Sequence, residues 1–425
     1  MLIGFTYKNF MSFFDENVFT MRAGADTKFQ DLNTFKTNYG TLLKSAIVLG
    51  ANGSGKSNFI NAIEHMKGIV LAELGSQIRL VAGIDTFMFS KVSREIPSVF
   101  EVEFIADGKL YQYGFELLNG EVNKEYLYKK IRRMVKVFNR ISPDYHDISL
   151  SKDMDNVKEL TKNTRRDTLF LHWANLGNNE TAMAVYRWFD SIQIYGEDSP
   201  LVVYDPTINY IEENKDGKYN ILRLLKKADA NILGLDAEIS EKMIDKISKI
   251  TGNSRAETLS KQLIMSIETK HHVYDKEWEQ VDTVSTSLQF ESAGTRKLFA
   301  IAGPVIKALE SGSVIFFDEI DSKLHPMLVR YLVMMFNSIS DNPNNAQLIC
   351  NTHDVLLLEE DIRRDQVYFT EKDGYGVSSL YSLADFKGVR KESKLLKQYL
   401  LGAFGATPRL QEHFMIVKKA QEERF

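Results

Sequence analysis

Three short runs of apolar residues predict buried strands. They cover residues 46–49, 314–317 and 347–350. Continuous apolar runs of this length are typical of strands that are covered on both faces, as in a parallel sheet. After the first run, Phe59, Ile60, Ile63 and Met66 recur at helical spacing. The pattern therefore predicts an α/β fold in which a strand leads through a loop into a helix.

The chain between these runs has two further patterns. Apolar and polar residues alternate over residues 99–118 and 126–138, which predicts an antiparallel sheet. Three apolar stripes at helical spacing follow, formed by Ala182, Val185, Tyr186 and Phe189, by Ile221, Leu224, Leu225 and Ala228, and by Ile239, Met243, Ile247 and Ile250. The stripes indicate a compact, mainly helical domain inserted into the α/β part. The absence of a sustained heptad pattern excludes a long coiled-coil arm.

The order of these patterns divides the chain into three parts. We expect residues 1–118 and 276–425 to form the two halves of an α/β head, the second half ending in closing helices. Residues 119–275 would contain the remaining antiparallel strands and the inserted helical domain. With 425 residues, of which 44% are hydrophobic, the chain is long enough to bury a large core.

The loop after the first apolar run carries the most specific signal. Residues 50–57 read Gly-Ala-Asn-Gly-Ser-Gly-Lys-Ser and match the phosphate-binding loop G-x-x-x-x-G-K-[ST] at every fixed position. In such a loop, backbone N–H groups surround the phosphates, Lys56 reaches the β- and γ-phosphate oxygens, and Ser57 ligates Mg²⁺. The predicted nucleotide-binding residues here are Gly50, Asn52, Gly53, Ser54, Gly55, Lys56, Ser57 and Asn58. We therefore expect a bound nucleoside triphosphate.

Polar residues that suit phosphate chemistry follow the other two apolar runs. Asp318 and Glu319 come directly after the second run, where Asp318 would hold Mg²⁺ and Glu319 would polarise an attacking water. The third run leads to His353, at the sheet edge where ligands of α/β proteins bind. Farther upstream, Ser292 and Gly294 begin an apolar helix and could form an anion site, although an ordinary helix cap is an alternative.

Taken in this order, the motifs resemble the ATP-binding cassette (ABC) head of SMC, RecF and OLD-type ATPases. Within that class, the chain is most similar to the small AbiLi/RloA-like ATPases of prokaryotic phage-defence (abortive infection) loci. The narrower resemblance rests on residues 9–13, 318–326 and 399–408. The whole resemblance covers roughly residues 1–118 and 276–410.

The resemblance implies an ATPase that binds ATP and Mg²⁺ in a P-loop head of the ABC type. Its catalytic residues would be Glu319, Lys56 and His353, and its metal ligands Ser57 and Asp318. It also implies a homodimer or higher homo-oligomer in which two heads sandwich ATP. In that dimer, Ser292 and Gly294 would contact the nucleotide of the opposite protomer, and Asp321 would lie in the loop that crosses the interface.

The implied role is a switch for a partner effector, a Toprim/RloB-like protein encoded nearby, triggered by DNA or a phage product. After His353 we find no second catalytic cluster, so a nuclease would be a separate polypeptide. One alternative is a RecF-like DNA repair or maintenance ATPase that clamps DNA directly. Another is a binding module in which the ATP site is only structural.

Composition and charge bear on these alternative functions. The net charge of −4 gives no global argument for nucleic-acid binding. Residues 124–140 are locally basic with interleaved aromatics, which fits either a nucleic-acid contact or a solvated sheet face. A single cysteine, Cys350, and the lack of a long apolar run predict a cytoplasmic protein without disulfides or a membrane span.

Overall fold

A mainly parallel sheet forms the centre of the protein. The computed structural model describes residues 1–196, 204–237, 267–388 and 394–408. The strands of this sheet are β5 (Ser45–Gly50), β11 (Gln193–Tyr195), β15 (Val314–Phe317), β16 (Gln347–Asn351), β17 (Val367–Lys372) and β18 (Ser378–Ser382). Their order is β11-β15-β16-β5-β17-β18, and only β18 runs antiparallel to its neighbour. The three apolar runs of the sequence are strands, as predicted, and the structure places them next to one another in the sheet.

Both faces of the central strands are covered by helices. Ala46 and Val48 of β5 point into one core, which contains α2 (Lys56–Leu71). Ile47 and Leu49 point into the opposite core, which contains α8 (Ala293–Ser311) and α9 (Pro326–Asn337). Because successive strand side chains alternate between faces, a strand buried on both sides needs a continuous apolar run.

An antiparallel sheet packs on the α2 side. Its strands are β1 (Leu2–Lys8), β2 (Asn17–Thr20), β6 (Ser98–Ala106), β7 (Lys109–Leu118), β8 (Glu121–Lys130), β9 (Met134–Arg140) and β10 (Ile148–Leu150), in the order β10-β9-β8-β7-β6-β1-β2. The alternation seen in the sequence is confirmed: Phe100, Val102 and Phe104 of β6 are buried, whereas the residues between them are only partly buried. The buried rows face α2 in the same core.

Smaller elements complete the described chain. They are α1 (Gln30–Asn33), β3 (Thr34–Thr37), β4 (Gly40–Leu43), α3 (Leu74–Ala82), β12 (Gly234–Ala237), β13 (Ile267–Tyr274), β14 (Gln280–Ser287) and α10 (Leu395–Leu400). Strands β3 and β4 form a two-stranded sheet, and β12, β13 and β14 form a three-stranded sheet that precedes α8.

The helices of the middle segment divide into two groups. Helices α4 (Phe170–Leu176) and α5 (Glu180–Ser191) bury their apolar faces in the core of α2, whereas α6 (Asp205–Glu213) and α7 (Gly217–Ala228) bury theirs beside α8. The two stripes on α5 and α7 thus pack on different faces of the central sheet, and the single compact helical domain that the sequence suggested stays a prediction. The stripe from Ile239 to Ile250 lies outside the described residues.

The domain limits that we placed after residues 118 and 275 lie between paired strands. β7 and β8 form one antiparallel hairpin, and β13 and β14 form another. Each limit thus separates the two strands of a hairpin, and the three-part division of the chain stays a prediction.

Helix α8 contains a proline that α6 accommodates. Pro304 has no N–H to bond the carbonyl of Ala300, but the Thr207 hydroxyl lies 2.9 Å from that oxygen. The same hydroxyl accepts the N–H of Gly303 at 3.0 Å. A Cβ at Gly303 would lie 2.4 Å from the Thr207 Cα, so only glycine allows this approach. Thr207 therefore satisfies the backbone groups that the proline frees.

Candidate nucleotide-binding site

The phosphate-binding loop runs from the end of β5 to the start of α2 and needs its glycines. Gly53 and Gly55 have φ angles of +72° and +115°, which residues with a side chain rarely adopt. A Cβ at Gly50 would lie 2.5 Å from the carbonyl oxygen of Thr370, and one at Gly55 would lie 2.7 Å from the Ser378 Oγ. The loop is thus closely packed against β17 and β18.

Lys56 is held within this loop. Its Nζ donates to the carbonyl oxygens of Gly50 at 2.9 Å and Ala51 at 3.2 Å. Burial lowers the pKa of the Lys56 ammonium, and the carboxylates of Glu319 and two nearby aspartates oppose that shift. The attraction between these carboxylates and the ammonium group indicates that Lys56, which is predicted to bind phosphate, shares one site with the acidic residues.

Asn351 fixes the acidic pair that follows β15. Its Nδ2 donates to Asp318 Oδ1, and its Oδ1 accepts the backbone N–H of Glu319 at 2.5 Å. Glu319 has a φ of +51°, in the left-handed region. Asn351 is fully buried at the end of the neighbouring strand β16, so one side chain holds the carboxylate of Asp318 and the backbone of Glu319. The sequence analysis missed this residue, although its place at the end of a buried strand, two positions before His353, was a usable signal.

His353 and Asp321 are also brought together. The backbone N–H of His353 donates to Asp321 Oδ2 at 3.1 Å. Burial, and then the charge of Lys56, lowers the pKa of the His353 imidazole, while Asp321 and Asp318 act in the opposite direction. The imidazole is therefore neutral near pH 7 and can accept or donate a hydrogen bond.

These elements surround a cleft of about 340 Å³. Its lining residues are Asn52, Gly53, Gly55, Lys56, Ser57, Asn58, Glu319, His353 and Lys372. The structure thus joins six residues of the predicted loop to Glu319 and His353. Lys372, at the end of β17, was not predicted. The other predicted site residues, all of them described, do not line the cleft: Gly50, Ser54, Ser292, Gly294, Asp318 and Asp321.

Ser292 and Gly294 begin α8, as expected. Ser292 caps the helix, since its Oγ accepts the N–H of Thr295 at 3.0 Å. A Cβ at Gly294 would lie 3.0 Å from the carbonyl oxygen of Lys323, so the helix start is packed beside the loop after β15. Within one chain, the serine is therefore explained as a helix cap, and its contact with a second protomer stays a prediction.

The site suits a magnesium nucleotide. Mg²⁺ prefers oxygen ligands and commonly takes one or two from the protein, with the rest from phosphates and water. Ser57 in the first turn of α2 and Asp318 after β15 offer a hydroxyl and a carboxylate of this kind.

The basic segment is partly explained by internal contacts. Arg140 is fully buried and donates to the backbone oxygens of several residues, including Thr168 at 2.8 Å. Lys124 pairs with Glu116 at 3.1 Å, and Lys129 pairs with Asp153 at 2.9 Å. The remaining exposed basic positions of the segment include Arg132, Arg133 and Lys136.

Most of the chain matches a known protein family. Residues 45–359, well over half of the chain, match a family described as "AAA domain, putative AbiEii toxin, Type IV TA system". The chain belongs to this AAA family. The predicted α/β P-loop fold is thereby confirmed, and the protein is a nucleotide-binding ATPase of the P-loop class.

The SMC head domain from Thermotoga maritima is similar at 15% sequence identity with a TM-score of 0.39, over 90% of this chain and 98% of that one. No curated protein sequence matches the chain. Among the described residues, no helix is long and apolar enough to cross a membrane.

Proposed function

We propose that this AAA-family protein binds ATP with Mg²⁺ and hydrolyses it to ADP and phosphate. The observation that carries the proposal is the joint position of Lys56, Glu319 and His353 around one cleft. Lys56 would bind the β- and γ-phosphates, and Ser57 and Asp318 would hold Mg²⁺. The metal, when bound, neutralises charge that develops on the phosphate oxygens.

Glu319 would act on the attacking water. Its backbone N–H is held by Asn351, and the residue lines the cleft. A carboxylate that accepts a hydrogen bond from water orients the water for in-line attack on the γ-phosphate. His353 would donate a hydrogen bond to the same phosphate, because its neutral imidazole can present an N–H.

We further propose that ATP joins two copies of the chain. The Ser292–Gly294 helix start of one copy would contact the nucleotide in the cleft of the other, as the resemblance to ABC-type heads implies. The geometry supports this role in one respect: the helix start presents N–H groups suited to an anion. Glu319→Gln should trap the ATP-bound dimer, because binding persists while hydrolysis stops. A variant that stays monomeric with saturating ATP in analytical ultracentrifugation would refute the dimer.

The biological role that we propose is a nucleotide-dependent switch in anti-phage abortive infection. The partner would be a Toprim/RloB-like effector encoded nearby, and the trigger a phage product or DNA. The support is the AbiLi/RloA resemblance together with a family description that names a putative AbiEii toxin. Phage plating on cells carrying the gene with its neighbours tests this role. Protection should vanish with Lys56→Ala and with the neighbouring genes deleted. Plating efficiencies equal to those of wild type in either control would contradict it.

A RecF-like ATPase that clamps DNA directly is the second candidate. The observation that favours it is the set of exposed basic side chains at Arg132, Arg133 and Lys136. DNA-stimulated hydrolysis without a partner, weakened when Lys130, Arg132 and Arg133 are replaced by glutamate, would support this alternative. Unchanged DNA affinity and salt dependence in that variant would remove it.

A further inference from the structure

The nucleotide cleft contains a second ammonium group, which lies outside the phosphate-binding loop. Lys372 is the last residue of β17 and lines the cleft together with Lys56 and Asn58. Its side chain is exposed, and within the described part of the chain it forms no ion pair. Neither the phosphate-loop motif nor the acidic pair assigns it a role.

Lys372 stands on a well-braced hairpin. It pairs with Ser378 across β17 and β18, and the turn between them is closed by Asp373, whose Oδ1 accepts the N–H of Tyr375 at 2.8 Å and of Val377 at 2.9 Å. The backbone N–H of Ser378 donates to the carbonyl oxygen of Ser12 at 2.8 Å. The base of the side chain is therefore fixed relative to the phosphate loop.

The strand order determines which part of a nucleotide Lys372 faces. β15 and β16, which supply Glu319 and His353, lie on one side of β5, whereas β17 lies on the other. Thr370 pairs with Gly50, so Lys372 lies just beyond the loop on this second side. Since hydrolysis occurs at the γ-phosphate, that phosphate belongs beside Glu319, and the nucleoside end of the phosphate chain belongs beside Lys372.

We propose that Lys372 binds the α-phosphate of the nucleotide, the phosphate nearest the nucleoside. This inference rests on the proposed ATP binding and adds a contact that is independent of the γ-phosphate. An ammonium on a flexible stem is a suitable partner for a single phosphate oxygen. Lys372 therefore stabilises bound ATP and bound ADP to the same extent, whereas contacts on the Glu319 side distinguish the two.

Isothermal titration calorimetry with ATP and with ADP tests this assignment. Lys372→Ala should weaken the binding of both nucleotides by the same factor, about tenfold, which corresponds to the lower limit of about 1.5 kcal/mol for a charge-assisted hydrogen bond. Lys372→Arg should retain most of the affinity. Lys387→Ala is the matched control, because it removes another exposed lysine from the same part of the chain and should leave both affinities unchanged.

The outcomes separate this proposal from the proposed function. Lys56→Ala should abolish ATP binding; if it does and Lys372→Ala binds like Lys387→Ala, ATP binding stands and the role of Lys372 is refuted. A loss confined to ATP would place Lys372 at the γ-phosphate and also refute the assignment. No ATP binding by the wild-type protein would overturn both proposals.

Discussion

Replacing Asn351 with leucine should slow ATP hydrolysis far more than it weakens ATP binding. Asn351 is buried, donates to Asp318 Oδ1 and accepts the N–H of Glu319 at 2.5 Å. Leucine has a similar shape but can form neither bond. Asp318 and Glu319 would then lose the side chain that orients them, while the phosphate loop with Lys56 would be untouched.

The magnitude follows from the two bonds. A hydrogen bond to a charged group contributes about 1.5–3 kcal/mol and a neutral one about 1 kcal/mol, so the variant should lose about 2.5–4 kcal/mol of unfolding free energy. Glu319 also has a φ of +51°, a conformation that its bond to Asn351 supports. If only about 1.4 kcal/mol of this loss falls on the transition state, turnover decreases about tenfold.

The assay compares three proteins. Turnover is measured by phosphate release, ATP affinity by calorimetry, and stability by urea denaturation. Asn351→Asp is the informative control, because it keeps an acceptor for the Glu319 N–H but brings a carboxylate against Asp318. It should therefore be at least as slow as Asn351→Leu. Turnover within twofold of wild type in the leucine variant would refute the reasoning.

Three further substitutions test the fold and the loop. Thr207→Val should lower the unfolding free energy by about 1–3 kcal/mol without changing ATP affinity, since it leaves the carbonyl of Ala300 without its hydroxyl partner; an unchanged urea midpoint would contradict this. Burial lowers the pKa of His172 below 6.5, so protons taken up only by the unfolded chain reduce stability as the pH falls below that value. Between about pH 7 and pH 5.5, the unfolding free energy of His172→Gln in urea denaturation should therefore decrease less than that of wild type. Equal decreases in the two proteins would contradict this prediction. Gly55→Ala should lose ATP binding in calorimetry because its Cβ would meet Ser378 Oγ at 2.7 Å with a φ of +115°, and wild-type affinity would disprove the close packing of the loop.

Local motifs were enough to predict the core of the site. The phosphate loop needs consecutive residues between a strand and a helix, and residues 50–57 with the flanking apolar positions specify both. The acidic pair was predictable for the same reason, since Asp318 and Glu319 directly follow the buried strand β15.

The contacts between residues of neighbouring strands could not be predicted from such motifs. Lys372 belongs to β17, which pairs with β5 although some 300 positions separate the two strands in the chain. Asn351 ends a strand that the sequence predicted, but its hydrogen bonds to the acidic pair depend on the pairing of β16 with β15. Helical periodicity likewise identified the buried faces of α5 and α7 but not their partners, because an apolar stripe does not specify what covers it. Charge counting failed at Arg140, whose guanidinium is buried against backbone carbonyls.

The most direct test of ATP hydrolysis at this site is the steady-state rate of phosphate release by the purified wild-type protein, Lys56→Ala and Glu319→Gln, each with saturating ATP and Mg²⁺. The account predicts turnover by wild type and none by either variant. Of the two variants, Glu319→Gln should still bind ATP and Lys56→Ala should not. Wild-type turnover no faster than that of Lys56→Ala would contradict it and make the nucleotide a structural ligand.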